Sequence, residues 1–128
     1  MNAHPTAVVS LHAKMGEFSY VGAFSIVQSG ADIGEGTKIG THVSIAEKVR
    51  VGAECLIGAG CILGADTVIG NEVQLNPGVI CSNTIVGSGS IVGPGAVLVG
   101  PLRLKEGAVV EANALITEET AAFLGLVE

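Results

Sequence analysis

Aromatic and basic residues are scarce in this sequence. Its 128 residues include no Trp, one Tyr and three Phe, and only six Lys and Arg against twelve Asp and Glu. With so few aromatic side chains, any core must be built from small and aliphatic ones. The formal charge of −6 argues against binding to the phosphate backbone of a nucleic acid, because that binding depends on Lys and Arg.

Long apolar runs are also missing. Hydrophobic residues make up 48% of the chain, yet Gly and charged residues interrupt every apolar stretch well short of a bilayer span. The opening MNAHPTAVVS has neither the basic region nor the long apolar run of a signal peptide. We therefore expect a soluble cytoplasmic protein without a membrane span.

Cysteine is present but shows no functional pattern. Cys55, Cys61 and Cys81 lack the paired spacing of a metal site, and an odd number leaves one thiol over after any disulfide. We expect reduced, structural thiols and no metal site.

The sequence is rich in Gly, with 19 residues, and its aliphatic residues recur every six positions. A small or modest side chain stands four residues after most of the repeating aliphatic positions, and Gly often stands directly after them. The spacing drops to five once, after Cys81, so one residue is missing near 82–84. The repeating positions before it are Val9, Met15, Val21, Val27, Ile33, Ile39, Ile45, Val51, Ile57, Leu63, Ile69 and Leu75.

A period of six predicts a β-solenoid. A short strand followed by a tight turn cannot bury its inner face alone, but stacked coils bury it against one another. Three hexapeptides make one triangular coil, so residues three repeats apart should stack. The pattern predicts one all-β domain over 1–128, with six to seven coils in 3–116. The tail 117–128 breaks the period, and Thr117 is a suitable N-cap for a short helix ending at Gly125.

The outward residues of the coils define three faces. One, the aliphatic face, is almost entirely apolar and is the predicted interface between subunits. A second, the charged face, stacks Lys14, Asp32 and Arg50, while the third, the mixed face, carries both polar and apolar residues. The alternative is that the C-terminal tail covers the aliphatic face. The outward residues of the aliphatic face are Val8, Ile26, Ser44, Ile62, Ile80, Val97 and Leu115.

The repeat resembles that of the hexapeptide-repeat acyltransferases, which fold as a left-handed parallel β-helix. The segments HPTAVV (4–9), GAFSIV (22–27) and GADIGEGTKIGTHVSI (30–45) resemble the first coils of bacterial UDP-N-acetylglucosamine O-acyltransferase and of nucleotide-sugar N-acetyltransferases. The resemblance implies a homotrimer with parallel axes. It also implies transfer of an acyl group from acyl-coenzyme A or acyl carrier protein to a hydroxyl or amine of a sugar nucleotide.

In such enzymes a His at a coil corner acts as general base, and an imidazole suits this role because its pKa lies near neutrality. The superfamily's usual His-Asp-Cys type motif is absent here. His42 is the best candidate base, because its corner leads into the aliphatic face and it shares a column with Phe24, Gly60, Gly78 and Gly95. His4 is expected in the opening strand beside Pro5, at the end of the β-helix, and His12 is expected to be a solvated residue on a corner next to the charged face.

Two further groups are candidates for substrate or donor binding. Asn76, together with Ser82 and Asn83 at the missing residue, forms an irregular spot in the repeat, and such spots can contact ligands. Arg103 and Lys105 are candidates for the phosphates of coenzyme A or of a nucleotide sugar.

Two alternatives to an acyltransferase remain open. A non-catalytic β-helix, serving as a scaffold or regulatory module, would keep the fold without an active site. A γ-class carbonic anhydrase shares the fold and binds zinc through three His, but the His spacing here does not match that family's, and His12 and His42 should lie on different corners.

Overall fold

The computed structural model describes all residues, 1–128, and shows a left-handed parallel β-helix of about six turns. The predicted fold class is confirmed. The elements are β1 (Asn2–Ala3), β2 (Val8–Val9), β3 (Lys14–Met15), β4 (Tyr20–Val21), β5 (Ile26–Val27), β6 (Asp32–Ile33), β7 (Lys38–Ile39), β8 (Ser44–Ile45), β9 (Arg50–Val51), β10 (Leu56–Ile57), β11 (Ile62–Leu63), β12 (Val68–Ile69), β13 (Gln74–Leu75), β14 (Ile80–Val86), β15 (Ile91–Val92), β16 (Val97–Leu104), β17 (Val109–Val110), β18 (Leu115–Ile116) and α1 (Glu118–Phe123).

Strand pairing reproduces the three predicted faces. The mixed face is β1, β4, β7, β10, β13, β15 and β17 in order. The aliphatic face contains β2, β5, β8 and β11, and the charged face contains β3, β6, β9 and β12. The long strands β14 and β16 contribute to both of these. We call the turn between the mixed and aliphatic faces the first corner, the next the second, and the turn back to the mixed face the third.

The inward aliphatic side chains form one continuous core. Ile33, Ile45, Leu63 and Leu98 are each at most 1% exposed, and they pack with the rest of a cluster of 29 buried residues. Burying such side chains contributes about 1.5–3 kcal/mol each to stability, which compensates for the scarcity of aromatic residues.

Main-chain hydrogen bonds join each coil to the next. At β3, the Lys14 N–H donates to the Ala31 carbonyl at 2.8 Å, and the Gly16 N–H donates to the Ile33 carbonyl at 2.8 Å. The turns are joined in the same way, since the His42 N–H donates to the Ala23 carbonyl at 2.9 Å. The solenoid therefore satisfies its backbone polar groups through contacts between adjacent coils.

The missing residue lies at the second corner, as the sequence predicts. Ile80 pairs with Val97 and Val68 with Ile85, whereas Ile85 pairs with Arg103, so the register shortens by one residue within β14. A bulge separates Ser82 from Thr84 there. At this place β14 and β16 run through the corner as continuous strands.

The C-terminal tail covers the end of the solenoid. Thr117 is the N-cap of α1, its hydroxyl accepting the Thr120 N–H, and Ala121 and Leu126 are buried against the last coils. The Lys105 N–H donates to the Leu126 carbonyl at 2.8 Å. No helix is long and apolar enough to cross a membrane.

The aliphatic face remains exposed along its length. Val8 is 61% exposed, Ile26 45%, Ile62 44% and Leu115 62%. The alternative that the tail covers this face is therefore wrong, because α1 packs against β16 and β18 at the end of the prism and leaves the earlier coils uncovered.

At several corners a buried hydroxyl group links consecutive coils, whereas the hydroxyl of Thr67 does not. The Thr37 hydroxyl donates to the Gly52 carbonyl at 2.6 Å and accepts the Cys55 N–H at 3.1 Å. The equivalent hydroxyl of Thr67 is buried and has no partner. The Gly52 carbonyl belongs to the residue 15 positions after Thr37, and the residue 15 positions after Thr67 is Ser82. In the shortened coil the Thr84 hydroxyl donates to the Ser82 carbonyl instead, at 2.9 Å.

The contrast between these two threonines predicts opposite effects of the same substitution. Thr37→Val should lower the free energy of unfolding by about 1–3 kcal/mol, because it leaves the Gly52 carbonyl and the Cys55 N–H without this partner. Thr67→Val should be neutral or raise it by up to about 1 kcal/mol, because it removes an unpaired hydroxyl and keeps the shape. Urea unfolding followed by circular dichroism at a fixed protein concentration measures both. A loss at Thr67 as large as that at Thr37 would contradict the assignment.

Candidate functional site

His42 lies at the first corner, between β7 and β8. Its backbone is left-handed, with φ 57°, and its side chain is exposed. The structure stacks it in the predicted column. The preceding coil contributes Phe24, the next three contribute Gly60, Gly78 and Gly95, and all four have positive φ. The ring nitrogens of His42 make no hydrogen bond within the chain.

The His42 ring packs against the Phe24 ring of the preceding coil. The two ring centroids are 5.2 Å apart and the rings are tilted by 35°. This pair brings a titratable group and an apolar ring together on one exposed edge. The sequence predicts no role for Phe24, although its separation from His42 by three repeats already implies the contact.

Residues of the first coil hold Phe24 in place. The Phe24 N–H donates to the Thr6 hydroxyl at 3.0 Å. Thr6 Oγ1 lies 2.8 Å from His4 Nδ1, and the Thr6 N–H donates to the same nitrogen at 3.2 Å. His4 follows β1 at the first corner, so its predicted place in the opening strand is wrong by one residue, because the chain already turns there. His12 lies on the second corner, separate from His42 as expected.

The edge around His42 is uncharged. Along the first corner and the aliphatic face, from residue 1 to 116, the one charged side chain is that of Glu111, near the C-terminal end. The other charges up to that point lie on the charged face, the second and third corners, and at Lys38 on the mixed face. The surroundings of His42 are therefore suited to neutral groups.

Asn76 occupies the first corner two coils after His42, and its side chain has a structural role. The amide Nδ2 donates to the Val92 carbonyl at 2.9 Å, and Oδ1 accepts from Gln74 Nε2 at 3.1 Å. This amide links adjacent coils and is half-buried. Ligand binding by Asn76 stays a prediction.

Ser82 and Asn83 lie at the second corner, away from His42 and Asn76. Asn83 has φ 50°, and its carbonyl oxygen lies so close to Gly100 that a Cβ there would overlap it. Both side chains are exposed. The structure thus separates residues that the sequence grouped as a single irregular spot, because 76 and 82–83 belong to successive corners of one coil.

Arg103 and Lys105 come together in a cleft of about 280 Å³ on the charged face and third corner. Ser88, Glu106 and Glu128 also line this cleft. The two basic side chains are suited to an anionic group, although two carboxylates share the space. This cleft and His42 lie on different edges of the same chain.

The three cysteines are buried and free. Burial raises the pKa of the Cys55 and Cys61 thiols, and burial together with the nearby Cys61 raises the pKa of Cys81 from 9.0 to about 12. Because the thiolate is the nucleophile and the metal ligand, these groups are chemically inert in the folded protein.

Among solved structures, two acetyltransferases match about four-fifths of the chain. The acetyltransferase domain of PglB from Neisseria gonorrhoeae is 31% identical with a TM-score of 0.76, and the match covers 80% of this chain and 53% of that one. A variant of perosamine N-acetyltransferase from Caulobacter crescentus, in complex with CoA and GDP-perosamine, is 30% identical with a TM-score of 0.61. That match covers 81% and 51%. Both are hexapeptide-repeat acetyltransferases, the superfamily that the repeat of this chain resembles.

The resemblance of the repeat to the hexapeptide-repeat acyltransferases is confirmed by these structures. The PglB domain in complex with acetyl coenzyme A is 29% identical, with a TM-score of 0.51, over 88% of this chain and 54% of that one. The chain spans about half the length of these relatives. A scan against protein-family models finds no match, and neither does a comparison with curated proteins.

Buried Cys81 predicts a loss of stability at alkaline pH. Folding raises the pKa of this thiol from 9.0 to about 12, so the unfolded chain loses the proton at lower pH than the folded one. The free energy of unfolding is therefore unaffected by this group below about pH 9 and falls as pH rises from there to about 12. The expected loss is about 1.4 kcal/mol per pH unit. Urea unfolding at about pH 7 and about pH 10.5, in reductant, should show a smaller alkaline loss for Cys81→Val than for wild type. Equal losses would contradict this.

Proposed function

We propose that this protein is an acyltransferase that transfers an acyl group from a thioester donor to the amine of a nucleotide-linked amino sugar. The observation that carries the proposal is the match, at 30–31% identity over four-fifths of the chain, to two acetyltransferase structures. One of them is an N-acetyltransferase bound to CoA and GDP-perosamine, which favours an amine over a hydroxyl as acceptor and coenzyme A over acyl carrier protein as the donor's carrier.

The active form in this proposal is a homotrimer with parallel axes, assembled through the aliphatic face. The apolar stripe of Val8, Ile26, Ile62, Ile80, Val97 and Leu115 lies on an uncharged surface, and a soluble monomer seldom leaves such a stripe exposed. Because the first corner borders this face, assembly would put His42 at the rim of a cleft between subunits.

His42 is the proposed general base. Its neutral imidazole takes a proton from the acceptor nitrogen as that nitrogen attacks the thioester carbonyl carbon. The carbon–sulfur bond then breaks, the thiolate leaves, and it recovers the proton from the imidazolium, so the base is regenerated. Arg103 and Lys105 are the proposed contacts for phosphate groups, and Asn76, Ser82 and Asn83 remain weaker candidates for ligand contacts.

A non-catalytic scaffold is the second candidate function. It is favoured by the structural use of the Asn76 amide between coils and by the carboxylates that share the Arg103 and Lys105 cleft. The Asn76 amide joins adjacent coils without any ligand.

Thioester turnover tests the enzymatic proposal. The protein is assayed for thiol release from acetyl-coenzyme A with GDP-perosamine and a panel of UDP-linked amino sugars. His42→Ala should lower kcat by about 10²–10⁴-fold, because it removes the base. The control is His12→Ala, which removes an exposed His on another corner and should leave kcat unchanged. No turnover and no substrate binding by wild type would favour the scaffold.

The mass in solution tests the trimer. Light scattering should give three times the 12.8 kDa of one chain. Ile62→Asp, which places a charge in the middle of the aliphatic face, should dissociate the assembly, whereas Ala65→Asp, at an exposed position of the second corner, should not. A wild-type mass near that of one chain at every concentration would refute both the trimer and the cleft.

A further inference from the structure

All the aromatic side chains of this protein are on its surface. Phe18 is 74% exposed, Phe24 58%, Phe123 88% and Tyr20 39%. Exposing such rings to water is unfavourable, and exposed aromatic residues are typical of binding surfaces. Phe24 is distinguished from the others by its contact with a second ring, that of His42.

Phe24 is held in a conformation that a bulky residue rarely adopts. Its φ is 59°, in the left-handed region, and its N–H is bound by Thr6 from the preceding coil. Eight other non-Gly residues of the chain share this left-handed conformation, so the backbone alone does not distinguish Phe24. Phe18 occupies the same position of the repeat on the third corner, with φ 61°, but has no ring partner. It is therefore a matched control for Phe24.

The surroundings of Phe24 define what kind of group fits there. The ring lies on the first corner, which holds no Lys or Arg, and its exposed surface offers only apolar contact. A ring with an apolar face is the group that such a surface accepts. In an amino-sugar nucleotide, both the sugar and the base are rings of this kind.

We propose that Phe24 is the platform on which the acceptor sugar ring lies, with the sugar's amine directed at His42. This inference rests on the proposed acyl transfer. Its geometric basis is the contact between Phe24 and His42, whose ring centroids lie 5.2 Å apart, because this contact puts an apolar ring and an imidazole next to each other on one exposed edge. The sugar is chosen over the base because the sugar carries the nitrogen that must lose a proton to His42.

The next position of the column leaves room for the rest of the acceptor. Gly60 follows His42 one coil later, and nothing lies within 4 Å of where its Cβ would be. The turn itself does not require Gly, since Phe24, His42 and Asn113 hold equivalent positions of this column with φ between 57° and 60°. Gly89 on the third corner has the same open space and a similar φ of 74°.

Steady-state kinetics provide the first test. Phe24→Leu should raise KM for the acceptor about tenfold or more, with kcat and KM for the thioester donor little changed, because it removes binding that is shared by ground and transition states. Phe18→Leu should leave all three constants unchanged. Gly60→Asn should also raise acceptor KM, whereas Gly89→Asn, with the same backbone demand, should not. Circular dichroism confirms that each variant is folded.

A binding measurement separates this inference from the proposed reaction. NMR signals of the Phe24 ring and of His42 are followed during titration with GDP-perosamine, with the free sugar perosamine, and with GMP. Shifts of both residues caused by GDP-perosamine and by perosamine support the platform even if no turnover occurs, provided that the His42 shift is lost in Phe24→Leu. Shifts caused by GMP alone would assign the ring to the base and overturn the inference.

Two further outcomes would also overturn it. The first is activity that depends on His42 but has the same acceptor KM in Phe24→Leu as in wild type, which would leave the acyl transfer standing. The second is the absence of any shift at Phe24 at saturating concentrations of all three probes.

Discussion

The stacking of one coil on the next, in a register of three hexapeptides per coil, is the constraint on which the rest of the structure depends. It pairs strands such as β5 and β8, places Val27 over Ile45 in the core, and lets main-chain N–H groups reach carbonyls of the adjacent coil. Because the chain buries no Phe or Tyr side chain, this regular stacking of small and aliphatic ones must supply the core. Any change of register moves every outward residue that follows, so the composition of each face is tied to the repeat.

The single departure from this register shows how locally the fold absorbs a defect. Removing one residue at the second corner leaves the core continuous, because Thr84 takes the Ser82 carbonyl and the strands β14 and β16 extend through the corner. Its visible result is the unpaired hydroxyl of Thr67 one coil earlier. The irregularity thus has a complete structural description within the chain, and its position away from His42 gives no indication of a link to acyl transfer.

Charge segregation connects the fold to the proposed function. Apart from Glu111 near the C-terminal end, the acidic and basic residues up to residue 116 avoid the first corner and the aliphatic face, which leaves the edge where Phe24 and His42 meet uncharged. Apolar assembly and a neutral acceptor ring would use the same edge, whereas the basic pair Arg103 and Lys105 lies across the prism.

The fold, the faces and the corners of His12 and His42 follow from the sequence alone, because a strict period of six leaves one way to count residues around a triangular coil. It therefore also predicted that Phe24 and His42 share a column and that one residue is missing near 82–84. Other features of the site are seen only in the folded structure. Three features depend on side-chain and tail conformations. They are the part of the prism that the tail covers, the hydrogen bonds of the Asn76 amide, and the distance between the Phe24 and His42 rings. Those conformations follow from packing between coils, which the repeat leaves open.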